Sequence, residues 1–223
     1  MGLNVTGAGL TLAMLIMAAS PADAGISPAT GNGPPGAGIA PAATQSSGPV
    51  ALFVPAEFAV PALVETAHFK LVPLGPELVD VDFEAYMSSI EHLQQTFTRS
   101  TDWPHKDISD SDAMRDMETE QARFRKRQSF AYAVLTPDGR RERGSVYVSP
   151  SPVEGYDAMV RMWVTKAEYD AGFDAELYAW VADWIRKDWP FAKIAYPGRA
   201  IDWITWDALV ARNKAEKAVQ PQL

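Results

Sequence analysis

Cysteine is absent from all 223 residues, which excludes disulfide scaffolds, zinc-thiolate sites, iron-sulfur clusters and thiol nucleophiles. Histidine is scarce. Only His68, His92 and His105 occur, no two at metal-ligand spacing, so no metal centre is expected. Positive charge is short as well: 20 Lys plus Arg face 28 Asp plus Glu, and the net charge of -8 repels phosphate backbones, which sets nucleic-acid binding aside. What remains, 47% hydrophobic and 10% aromatic residues against 22% charged, is enough apolar material for a core at this length.

The shortage of basic residues is uneven. Lys70 is the first Lys or Arg, and residues 1–69 carry only Asp23, Glu57 and Glu65 as acids. Within that stretch Leu10–Ala19 (LTLAMLIMAA) is an apolar run too short to span a bilayer as a helix, and Ser20-Pro21-Ala22-Asp23-Ala24 follows it. Residues 1–24 thus resemble a secretory signal peptide with Ala22-Asp23-Ala24 as a small-x-small cleavage site, although no Lys or Arg precedes the apolar run. A periplasmic or secreted protein with no stable membrane span after processing is the expectation, and a cytoplasmic one is the alternative if the segment is not a working signal. From Gly25 to Val50 more than half the residues are Gly, Pro or Ser, the composition of a flexible linker. Ala51–Leu63 is apolar but broken by Pro55 and Pro61, so the linker, 25–63 in all, ends in an arm expected to drape over the domain rather than form a helix. A folded domain is expected over 64–214, with 215–223 as a tail.

Within the domain, His68–Leu74 reads as a strand ended by Pro73 and Gly75-Pro76. Phe83, Tyr86, Met87, Ile90, Leu93 and Phe97 recur at helical spacing and predict one amphipathic helix. Ser109-x-x-Asp112 has the form of a capping box and opens a second helix. Ser129–Leu135 and Gly144–Val148 predict an antiparallel hairpin around Pro137-Asp138-Gly139, and Tyr156–Lys166 alternates as a third strand of the meander. Phe173–Trp189 carries the broad apolar stripe of a helix packed on a sheet, Ala192–Tyr196 is a short strand, and a last helix runs from about Arg199 to Lys214.

This order, together with the phrases FKLVPLGPE, DFEAYMSSIEHL, TDWPH, SFAYAVLTPDG, GSVYVSPSP, GYDAMVRMWV and ADWIRKDWPFAKIAYPGR, resembles the GNAT superfamily of N-acetyltransferases over roughly Val64–Arg199. The resemblance implies an α/β (α+β) GNAT-like acyl-CoA N-acyltransferase fold, with a central mixed, mostly antiparallel sheet flanked by helices. It further implies a V-shaped gap between the strand Tyr156–Lys166 and the strand Ala192–Tyr196. Acetyl-CoA would lie there as co-substrate, its pantetheine arm on backbone near Trp163, Val164 and Lys166 and its diphosphate on Gly172, Phe173 and Asp174. The superfamily's Q/R-x-x-G-x-G/A loop falls on Tyr169-Asp170-Ala171-Gly172-Phe173-Asp174, where only Gly172 matches and two carboxylates stand beside what should be an anion site. An Asp there can also cap the helix, occupying the N–H groups a phosphate needs, with Lys166 a partial compensation.

The resemblance implies transfer of an acyl group to a small-molecule or peptide amine by direct attack. It needs a base to take the amine proton and an acid for the departing thiolate. Tyr196 is the candidate acid, and Glu154 or Asp157, at the mouth of the strand Tyr156–Lys166, the candidate base. Each has a plainer reading, packing for Tyr196 and turn chemistry around Gly155 for the acids. His105 reads as a loop stabiliser after Trp103-Pro104, and His92 as a solvated or groove-facing residue. Two non-catalytic readings stay open: an exported binding module for a small molecule or peptide that retains the groove, and a structural helper packing through its Trp-rich last helix.

Overall fold

A computed structural model of the chain describes residues 52–219, so the signal-like segment and most of the linker lie outside the described residues. Six strands form one sheet in chain order: β1 (Val64–Glu65), β2 (Lys70–Pro73), β3 (Phe130–Leu135), β4 (Glu142–Pro150), β5 (Ala158–Val164) and β6 (Ile194–Ala195). All neighbours are antiparallel except β5 and β6, which run parallel. The fold class is therefore the expected one, a mostly antiparallel mixed sheet flanked by helices.

Strand alternation sorts β5 onto two faces. Val160, Met162 and Val164 join a core with Phe173, Leu177, Val181 and Ile185, while Trp163 packs with Phe97 on the opposite face. The first of these faces is covered by α5 (Phe173–Asp188), the helix that the Leu177–Trp180–Val181–Trp184–Ile185 stripe predicts. Burying a side chain such as Leu177 or Ile185 there contributes about 1.5–3 kcal/mol. The arm also belongs to this layer: Val54 is buried in the same core, Phe53 stacks on Phe130 and Phe191, and the Arg127 guanidinium donates to Pro55 O and Phe58 O.

On the other face the predicted single helix is broken into α1 (Val79–Met87), α2 (Ile90–Leu93) and a π-helical turn, Gln94–Thr98. The break falls at two serines with competing partners. Ser88 Oγ donates to Ala85 O, and the buried Ser89 Oγ accepts from the Lys166 N–H across the fold. The Ser109 capping box is formed in full and opens α3 (Asp110–Arg125). A short helix that the periodicity does not announce, α4 (Lys166–Asp170), follows β5 with Thr165 as its cap. The last helix, α6 (Trp203–Val219), starts a turn later than expected and buries Trp206 and Asn213, whose amide clamps the backbone at Pro152 and Glu154.

Candidate active site

Strands β5 and β6 pair only at Ala158–Ile194 and Met159–Ala195. Beyond Met159, β5 continues to Val164 while the chain after β6 turns away at Pro197-Gly198, so the two strands open into a wedge. The expected gap is present. It holds a cavity of about 300 Å³ walled by Val160–Val164, by His92 and Phe97 from the α2 side, and by Tyr169, Asp174, Arg199 and Trp203.

Helix α5 starts at this wedge. Its cap is Gly172, at φ +83 and with no side-chain cap hydrogen bond, so the first N–H groups of the helix have no side-chain acceptor. This corrects the expectation that an Asp would occupy them. Asp170 is held instead by the Lys166 ammonium at 2.6 Å, and Asp174 accepts a forked pair of bonds from Arg199 at 2.5 and 2.6 Å. A glycine at the cap leaves Asp174 in the first turn, where Arg199, from the turn after β6, reaches it across the wedge. The charge of Lys166 is thereby committed and not free to offset the acids.

The other expected site residues separate. Trp163 and Val164 line the wedge, and both are buried. Asp157 Oδ2 accepts the backbone N–H groups of Ala192 and Lys193 at 2.8 and 2.7 Å, which fastens the start of β6 to β5 at the closed end. Glu154 is exposed at that same end, its N–H donating to Asn213. Neither reaches the cavity. Tyr196 is one residue short of the cavity wall, edge-to-face with Tyr178 at 5.7 Å; its hydroxyl is buried without a partner among the described residues, and burial pushes its pKa up to about 12.

Sequence reasoning left His92 between a solvated and a groove-facing position and missed two other groups, Arg161 and Arg199, that the fold brings to the wedge. His92 sits against Tyr169 at 4.8 Å, and burial, then the Lys166 charge, lowers its pKa, which keeps it neutral at pH 7. Arg161 stands in the otherwise apolar run AMVRMWV; a lone charge inside such a strand was the available signal. Arg199 follows the strand in YPGR, where only the tertiary pairing with Asp174 gives it a role.

No family model and no curated protein matches this sequence. Solved structures do. A chain named as a ribosomal-protein-serine acetyltransferase from Vibrio cholerae superposes with a TM-score of 0.50 at 13% identity, covering 68% of this chain and 81% of that one. The ribosomal-protein-S5-alanine acetyltransferase of Vibrio fischeri gives 0.44 at 13% identity over 57% and 68%. The chain has the GNAT acetyltransferase fold.

Proposed function

We propose that the protein is an acyl-CoA-dependent N-acyltransferase. The observation that carries this reading is the wedge itself: an unpaired edge of β5 from Val160 to Val164 beside an uncapped helix start. Such an edge can pair with the amides of a pantetheine chain as it would with another strand, and free helix N–H groups favour a diphosphate. Gly172 fits a close approach, because a Cβ built there meets nothing within 4 Å.

Acetyl-CoA would supply an activated thioester. The amine nitrogen attacks the thioester carbon, a C–N bond forms and the C–S bond breaks. With Asp157 occupied and Glu154 exposed at the closed end, we assign the amine proton to the neutral His92 and the proton for the leaving sulfur to Tyr196, whose hydroxyl has no acceptor among the described residues. The acceptor is a small-molecule or peptide amine.

The Asp174–Arg199 pair favours a second reading, a non-catalytic binding module, because it puts a carboxylate where a diphosphate would bind. Thermal unfolding separates the two. Acetyl-CoA at 100 times its Kd should add about 2.7 kcal/mol, a shift on the order of 5–10 °C in Tm. Asp174→Asn should then tighten the Kd by about tenfold by removing the like charge. No shift with either protein defeats the transferase reading. Since the chain has no cysteine, release of free CoA thiol can be followed by a thiol reagent without background. Export from the cell is part of the proposal, and the mass of the native protein in cell fractions decides it: loss of residues 1–24 in an exported fraction supports it, and an intact Met1 form in the cytosol opposes it.

A further inference from the structure

We infer that the wedge takes an acceptor amine bearing a carboxylate, with Arg161 as the group that binds the carboxylate; this rests on the transferase reading above. Among the ion pairs of the described residues, Arg99 is joined to Asp207 and Arg199 to Asp174, but no carboxylate joins Arg161. Its Nη2 donates to Phe97 O at 2.6 Å and its guanidinium lies over the Phe97 ring at 4.2 Å. Its Nε is sealed from solvent with no acceptor among the described residues. A half-buried cation held by one carbonyl and one ring face keeps part of its desolvation cost uncompensated, so an incoming anion gains more here than at the surface.

The rest of the wedge does not supply that anion. His92 is neutral, and Asp174 is neutralised by Arg199, so the cavity wall carries one net positive charge, that of Arg161. A CoA diphosphate is not the natural partner either. Arg161 projects from the β5 face that carries Phe97 and Trp163, whereas α5, whose start would hold the diphosphate, covers the opposite face with Val160, Met162 and Val164. His92 comes from the same side as Arg161. A carboxylate on the guanidinium would therefore orient the amine on the side where the imidazole can take its proton, and a planar carboxylate matches the guanidinium fork.

The test uses the full chain and the twenty protein amino acids against their amides, with acetyl-CoA present. The Nε–H signal of Arg161 in NMR reports binding directly, without any variant. The expected result is that amino acids shift this signal and amides do not, and that acids are turned over with kcat/KM about 10- to 100-fold above the amides. Arg161→Gln should abolish that preference by raising KM for the acids toward that for the amides, and Arg161→Lys should restore part of it. The proposal is overturned if acids and amides perform alike, if Arg161→Gln lowers both equally, or if acetyl-CoA alone moves the Nε–H signal and amino acids do not. Each of those outcomes can occur with the acetyl-CoA thermal shift intact, so this proposal can fail while the transferase reading stands.

Discussion

Between about pH 5 and about pH 8.5 the protein is expected to lose roughly 2–4 kcal/mol of unfolding free energy, and Glu142→Gln to remove more than half of that loss. The cause is a buried carboxyl pair on the sheet face covered by α1 and α3. Glu142 is 1% exposed and Asp82 is 4% exposed. Ser145 Oγ donates to Glu142 Oε1 at 2.7 Å, while the buried Oε2 has no donor among the described residues, and the neighbouring Asp82 carboxyl acts on Glu142. A proton shared between the two carboxyls would give Oε2 its donor. Burial first, then the charges of Asp116 and Glu120 on α3, push Asp82 up to about 7, and burial raises Glu142 well above the usual carboxylate range. Asp116 and Glu120 are themselves raised by burial, Arg123 notwithstanding.

A carboxyl whose folded pKa exceeds its unfolded value stabilises the fold most below the unfolded pKa, and that stability drains away as pH rises through the folded one. All four acids act in this sense. His92, lowered by burial, acts in the opposite one and offsets part of the loss below its ordinary pKa of 6.5. Glutamine at 142 supplies an amide donor to Asp82 and removes one charge, so Asp82 can ionise at lower pH. Near pH 8.5 the variant should exceed the wild type by about 1–3 kcal/mol, and near pH 5 the two should agree. Urea unfolding at the two pH values decides the matter: a flat wild-type response, or a slope that Glu142→Gln leaves untouched, would mean that no proton is shared.

Gly144→Ala is expected to cost about 3 kcal/mol and to open the wedge's floor. A Cβ on Gly144 falls 2.0 Å from Trp163 O and 2.7 Å from Val164 Cα. Both are backbone atoms, so no rotamer change relieves the overlap and β4 must part from β5 where they pair, Gly144 with Val164. Those β5 residues wall the cavity, so the acetyl-CoA thermal shift should shrink together with stability. Gly172→Ala is the control. That glycine has φ +83 but open space around its Cβ position, and its replacement should cost only the backbone strain, about 1–2 kcal/mol. Equal unfolding midpoints for the two variants would show that β4 and β5 absorb the extra carbon.

Much of this was legible in the chain itself. Alternation in AMVRMWV, the Leu177–Ile185 stripe and the Ser109 capping box are local signals, because side-chain period and cap chemistry depend on neighbours a few residues away. They placed β3, β4, β5, α3 and α5, and the gap beside β5 was implied by the family resemblance alone. The broken first helix was not legible, since the apolar spacing from Phe83 to Phe97 is continuous and the break depends on Ser89 meeting the Lys166 N–H, 77 residues later. The site was less legible still. Glu154 and Asp157 stand close in sequence to the strand that walls the wedge, yet the fold leaves both at its closed end. Asp174 reads as a helix cap until Arg199 is placed across from it. Periodicity determined that this chain would build a sheet flanked by helices, and the resemblance of its phrases to a known superfamily implied the gap. Which charges in the gap are neutralised and which is left for a ligand was decided only by tertiary structure, because pairing and burial join residues that no local pattern connects.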